Sequence, residues 1–335
     1  MNQNEASQPG EFDPGLRGLG PIALEALLVP KVWGGSALQS LRKQPGTVPP
    51  IGEAWLLYDR PDRSNALCNA AGSLADLRAA GEADLMGSAA RGYGGRFPVL
   101  VKYLHAQETL SLQVHPSDAE AIGDGGKEEC WLVLEAGRDA KAYVGLKDGV
   151  DMDCFVAGLR TGELEELLNV LTLKAGDVVH VPPGTVHALG GDALVLEVQQ
   201  NSDMTHRLSD WGRGRATHVD AALKCIDVHS RPRLNQQVTD VGGGGRRLVA
   251  TPSFHMFRYQ LDRPVEITAD GGYCVLVGLD GGGSVTAGGH ERAISREALL
   301  VPACHQSFFV QPSGGLDFVI CAPGDISITD CDARH

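Results

Sequence analysis

Residues 110–116, Leu110-Ser-Leu-Gln-Val-His-Pro116, read as a strand whose two faces differ. Alternate side chains on a strand share a face, so Ser111, Gln113 and His115 point one way while Leu112 and Val114 point the other. The Cα atoms of Gln113 and His115 should then lie roughly 6.5–7 Å apart. A polar face of this kind is either the wet side of a half-exposed sheet or one wall of a site. The neighbouring sequence has to decide between the two.

Outward from this stretch the chain alternates short apolar runs with turn residues. Strands are expected at 54–58, 97–104, 110–114, 131–134, 142–144, 177–181 and 193–199. Gly, Pro, Asp and Asn often flank them, a spacing that indicates a sandwich or barrel. Helices are few. Ser73-Leu-Ala-Asp76 opens one with a capping-box pattern. Residues 151–171 read as two short helices broken near 158–162, with Leu164, Leu167, Leu168 and Leu171 on one face. A third helix is expected from Thr217 to about Cys225. Residues 1–20 read as a flexible leader and 21–229 as the first domain, with helical insertions at about 73–86 and 151–171. Residues 230–247, with four consecutive glycines from Gly242, read as a linker. Residues 248–335 read as a smaller β domain, with strands at 254–261, 273–277, 298–301, 307–310 and 318–321. His255, His290 and His305 stand isolated there and are expected to be structural or surface residues. The fold class is therefore all-β with a few short helices.

The chain has 335 residues, enough for a large core and two domains. Its 29 basic and 42 acidic residues give a net charge of −13. That balance argues against nucleic acid and anionic membrane surfaces as partners. It leaves room for a small anion held by a few local cations. Eight scattered cysteines without a C-x-x-C pair point to a reducing compartment. With no apolar leader segment and no run of about 18 apolar residues, the expectation is a cytoplasmic protein.

Two further segments turn the polar face into a candidate site. Lys127-Glu-Glu-Cys-Trp131 sets adjacent acids before an apolar strand. His180-Val-Pro-Pro-Gly-Thr-Val-His187 carries two histidines around a rigid turn. Two histidines and a carboxylate from separate strands suit Zn²⁺ or Fe²⁺, and Gln113 can add a neutral oxygen. Spacing alone does not choose between Glu128 and Glu129, and it favours His187 over His180 only slightly. Arg207, after Glu197-Val-Gln-Gln-Asn-Ser-Asp203, and Lys127 are natural partners for an anion near such a pocket.

At these residues the chain resembles type I phosphomannose isomerase in its short bacterial form. The segments that carry the likeness are Val32-Trp-Gly-Gly35, Ile51-Gly-Glu-Ala-Trp55, Phe97-Pro-Val-Leu-Val-Lys102, Leu110 to Pro116, Lys127 to Trp131, Val181-Pro-Pro-Gly-Thr-Val-His-Ala188 and Leu196 to Asp203 through Arg207. They occur in the family's order over roughly residues 24–225. The resemblance implies two cupin (jelly-roll) domains and one zinc ion per chain in the first. It implies Gln113, His115, Glu129 and His187 as ligands, with the family's Lys-x-Glu pattern selecting Glu129. It implies Arg207 as the catalytic arginine, and Ser111 and Lys127 as substrate contacts beside it. His105 departs from the acidic residue that short-form members tend to carry. The leader and the glycine tetrad are peculiar to this chain.

The implied activity is interconversion of mannose 6-phosphate and fructose 6-phosphate through a cis-enediol(ate), in a monomer or homodimer that acts on a small sugar phosphate. A cupin oxygenase using Fe(II) shares the donor count but gives Lys127 and Arg207 no task. A cupin that binds sugar phosphates without turning them over is the remaining alternative.

Overall fold

A computed structural model describes residues 18–41, 49–68, 70–90, 93–121 and 124–331 of the protein. The first half is built on two antiparallel sheets that pack face to face. One has seven strands, in the order Arg233–Leu234, Val178–Val181, Glu129–Ala136, Ala193–Gln200, Val99–Ala106, Ile51–Leu57 and Leu27–Gly35. The other has five, in the order Leu168–Thr172, Lys141–Leu146, His187–Gly190, Leu112–Val114 and His206–Ser209. Leu104, Trp131, Val133, Val179 and Val195 from the first sheet meet Ala142, Val144 and Leu189 from the second in one buried cluster. This is the jelly-roll layout, with the polar face of 111–115 turned inward rather than to solvent.

Local sequence sets the turns that aim the site. Gly184, at φ +78°, closes the Pro182-Pro183 turn, and its N–H donates to the His115 carbonyl at 2.8 Å. The turn and the end of the 112–114 strand are thereby pinned together. The first helix, Leu74–Met86, starts at Ser73 with the expected capping box through Asp76. The third runs Val219–Cys225. The 151–171 reading needs correction. Only Met152–Thr161 is α-helical, and Gly162 ends it in the left-handed conformation. A single 3₁₀ turn follows at Glu165–Leu167, and Leu168–Thr172 is then an edge strand paired with Lys141–Leu146. The leucines at 164 and 168 are buried, as an amphipathic helix would also require, so a periodicity of apolar residues did not distinguish the two.

The second half is a curled sheet of ten strands. Its two long strands, Cys274–Ala287 and Ser307–Ala322, bend at glycines and pair with each other along most of their length. The strands expected at 307–310 and 318–321 are the two ends of one of them. Residues 230–247 are not an unstructured linker. Arg233–Leu234 adds an edge strand to the seven-stranded sheet, and Thr239–Gly242 with Gly245–Ala250 forms a hairpin. Gly242, Gly243 and Gly244 turn it at φ +77°, +57° and +75°, three successive left-handed residues that glycine accommodates at least cost. Residues 1–17 of the expected leader lie outside the described residues. Ile22–Ala23 pairs with Ala298–Val301 and so belongs to the second sheet. The largest buried cluster joins both halves, from Leu24 and Leu132 to Val275 and Cys321. His255 contacts Asp325 at 2.9 Å and His305 bonds the Leu19 carbonyl, so both are structural. Among the described residues no helix is long and apolar enough to cross a membrane.

The turn between His187–Gly190 and Ala193–Gln200 holds Gly191 at φ +74°, where a Cβ would collide with the Asp139 carbonyl oxygen. Gly191→Ala should therefore cost about 2 kcal/mol or more of stability. The check is the urea unfolding midpoint, which must fall.

Candidate metal centre and substrate cavity

Strand register builds one wall of the site. Gln113 stands directly opposite His187 on one neighbouring strand and Arg207 on the other. Directly opposed residues of an antiparallel pair share a face, about 4.5–5.5 Å apart at Cβ. Three strands thus present a row of imidazole, amide and guanidinium. His115 follows two residues after Gln113 on the same side. Glu129 comes from the opposite sheet as the first residue of its strand. His115, Glu129 and His187 offer ligand atoms that all lie within 4.8 Å of one another, and each is about 1% exposed.

Backbone carbonyls orient both imidazoles. His115 Nδ1 lies 2.9 Å from the Met204 oxygen and His187 Nδ1 lies 2.8 Å from the Thr185 oxygen. An Nδ1–H donated to each carbonyl leaves Nε2 as a bare lone pair pointing inward. Those Nε2 atoms stand 3.4 Å (His115) and 3.1 Å (His187) from the Glu129 carboxylate. Burial, then the Lys127 charge, pushes His115 down to about 3, so its ring is neutral at physiological pH. Burial alone would raise Glu129, but the Lys127 charge beside it holds it well below the usual carboxylate range. Neither Glu129 oxygen receives a hydrogen bond, although Lys127 Nζ lies 3.1 Å from Oε2. A buried anion facing two lone pairs is costly unless a cation sits between them. The donor set therefore fits a divalent metal. Gln113 Nε2 lies 3.2 Å from His187 Nε2, and rotating the amide by 180° brings Oε1 into the same position.

The competing residues are paired elsewhere. His180 Nε2 contacts Glu128 Oε1 at 2.9 Å, and His180 Nδ1 meets Gln237 at 3.1 Å. Neither belongs to the cluster. His105 is also structural here, bridging the Ala37 N–H and Asp192.

A cavity of about 270 Å³ opens beside the cluster, lined by Ser111, Gln113, Lys127 and Arg207. Sequence reasoning gave no role to Lys31, Glu53, Lys102, Glu197 and Arg215, which line it as well. Three of them form a buried floor. Glu197 stands opposite Lys102 on the adjacent strand, with Lys102 Nζ 2.9 Å from Glu197 Oε1. Trp131 Nε1 donates to the other Glu197 oxygen at 2.9 Å. Glu53 accepts from Trp55 Nε1 at 2.6 Å and pairs with Lys31 at 2.9 Å. The signal that could have found them is a charged residue in the middle of an apolar strand, as in Val99-Leu-Val-Lys-Tyr-Leu104. Arg207 lies at the mouth. Its Nη1 donates to the Ala216 carbonyl at 2.6 Å, while its Nε has no partner among the described residues. Asp210 binds Arg215 and Arg213 and is held down to about 2, first by the Arg215 hydrogen bond.

A family model for the phosphomannose isomerase type I catalytic domain matches residues 22–142. A mannose-6-phosphate isomerase of Streptococcus mutans is 30% identical over 317 residues, covering 89% of this chain and 97% of that one. The chain belongs to the type I phosphomannose isomerase family. A second family member, the mannose-6-phosphate isomerase ManA of Bacillus subtilis, is 33% identical over 66% of this chain and 74% of its own. The crystal structure of a mannose 6-phosphate isomerase from Bacillus subtilis superimposes with a TM-score of 0.80 at 26% identity, over 90% of this chain and 99% of that one. As in that family, the chain has a cupin-like β fold with a cluster able to hold a metal.

Two predictions follow for this phosphomannose isomerase family member. His115→Ala, His187→Ala and Glu129→Gln should each take bound metal from one per chain towards zero, measured by elemental analysis after dialysis. His180→Ala and Glu128→Gln should retain it. Glu53 supplies the pH test. Burial would raise its pKa, but Lys102 and Lys31 outweigh that and bring it to about 2, below the ordinary 4.5. A depressed folded-state pKa contributes stability above the unfolded value and loses it as pH falls. Glu53→Gln should therefore destabilise the protein at pH 7, and the deficit should shrink between about pH 5 and pH 2. Unfolding free energies measured across that window test this.

Proposed function

We propose that the protein is a zinc-dependent, cytoplasmic aldose–ketose isomerase that interconverts mannose 6-phosphate and fructose 6-phosphate through a cis-enediol(ate). The observation that carries this reading is the row His187–Gln113–Arg207, which sets metal donors and a cationic hydrogen-bond donor on one wall of one cavity. Family membership supports it. Gln113, His115, Glu129 and His187 would hold the zinc, a set of N and O donors common for that ion. When bound, the ion supplies Lewis-acid polarisation of the substrate's oxygens.

The chain's own residues do the rest. Moving a proton between C1 and C2 leaves negative charge on the two oxygens of the enediolate. Arg207 offers a guanidinium whose Nε is unengaged, fixed in place by its bond to Ala216. A donor that need not reorganise stabilises such charge most effectively. Lys127, 5% exposed, adds a second cation on the metal side. Ser111 Oγ, 3.3 Å from Gln113 Oε1, is placed to hydrogen-bond the sugar phosphate. Lys31, Lys102 and Arg215 also line the walls, but each is paired with a carboxylate (Glu53, Glu197 and Asp210), which leaves Arg207 without an acidic partner among the described residues. The floor of Lys102, Glu197 and Glu53 is buried, with Lys102 and Glu197 paired.

An assay coupled to fructose 6-phosphate formation tests the reading. Zinc-loaded protein should turn over mannose 6-phosphate, and a chelator should abolish the activity reversibly. Arg207→Ala should keep its zinc and lose about 10²–10³ in kcat, with a smaller change in KM, as expected for a group that acts mainly in the transition state. Unchanged kcat in that variant excludes the role. Oxygen uptake by iron-loaded protein, without isomerisation, would favour an oxygenase instead.

A further inference from the structure

The seven-stranded sheet has a second cavity on its other face. Lys102 points into the substrate cavity, and the next residue, Tyr103, points the opposite way. Tyr103 lines a cavity of about 350 Å³ between this sheet and the second half of the chain, which contributes Arg258, Leu279, Asp280, Arg296 and Asp317. The volume is that of a small-molecule site. Leu38 and Leu41, on the short 3₁₀ helix after the Trp33 strand, close one side.

The chemistry of the lining narrows the occupant. Tyr103 is 3% exposed as a residue and lines the cavity, and no hydrogen bond joins its hydroxyl to another of the described residues. A phenol in that position presents an apolar ring and a free hydroxyl to whatever enters the cavity. Arg258 and Asp317 neutralise each other through two hydrogen bonds of 2.9 and 2.6 Å. Among the described residues the groups left unpaired are of both signs: the Arg296 guanidinium and the carboxylates of Glu135 and Asp280. An anion would face two carboxylates and a cation would face Arg296. A neutral molecule with several hydroxyls can accept from Arg296 and Tyr103 and donate to Glu135 and Asp280. Leu38, Leu134 and Leu279 provide an apolar surface for the flat side of a ring.

We propose that this cavity is a second binding site, separate from the metal centre, for an uncharged hydroxylated ring compound of the sugar or nucleoside class. The probes are methyl α-D-mannopyranoside and adenosine, each titrated by calorimetry into the zinc-loaded full chain with the substrate cavity saturated by mannose 6-phosphate. One of them should bind saturably at one molecule per chain, which also tells sugar from nucleoside. Tyr103→Phe should weaken that binding by roughly three- to tenfold, the worth of one neutral hydrogen bond. Arg296→Ala, a change to an exposed side chain, should weaken it to a similar degree and serves if Tyr103→Phe fails to fold. Absence of binding by both probes overturns the proposal. So does displacement by the sugar phosphate, or unchanged affinity in both variants.

Discussion

The Glu129 carboxylate is a buried anion whose close cation among the described residues is Lys127, at 3.1 Å, and the first half of the protein is arranged around it. Removing a charge from water costs several kcal/mol unless opposite charge is brought close. Lys127 supplies part of that charge from two residues away. The two histidines cannot supply more, because their Nδ1 hydrogens are committed to backbone carbonyls and they present lone pairs instead. The arrangement is thus incomplete as protein alone and complete with a metal ion. The jelly roll makes it possible because its two sheets face each other across a dry interior. Gln113, His115 and His187 come from one side and Glu129 from the other, and no segment of sequence has to satisfy the ion by itself.

Much of this was legible from periodicity. The alternation in 110–116 placed Gln113 and His115 on one face, and the structure has them there. Short apolar strands between turn residues gave an all-β fold. The choice of Glu129 over Glu128 and of His187 over His180 was not legible from spacing, because each pair lies within reach of the same region. In three dimensions a difference of one residue sends Glu129 to His115 and His187 and Glu128 out to His180.

Other features failed to show for physical reasons. Leu164 to Leu171 satisfies a helical repeat and also supplies the buried positions of a 3₁₀ turn and an edge strand. Gly162 in the left-handed region decided the matter. Four glycines in a row have the composition of a flexible tether, but left-handed backbone at three of them makes a tight hairpin. The floor of Glu53, Lys102 and Glu197 is a long-range property: each charge sits within an apolar strand, and its partner is on another strand. Only pairing of the strands shows that the charges cancel.

The pairing of Ile22–Ala23 with Ala298–Val301 has a consequence for how the protein comes into being. Translation delivers His115, Glu129 and His187, the cluster able to hold a metal, well before the strand that the N-terminal segment must join. Until that strand leaves the ribosome, Leu24 and its apolar neighbours lack the half of their core that Val275 and Cys321 provide. Contacts so distant in sequence close late and slowly. Completion of the nascent fold therefore waits on the last third of the chain, even though the candidate metal cluster lies ahead of it.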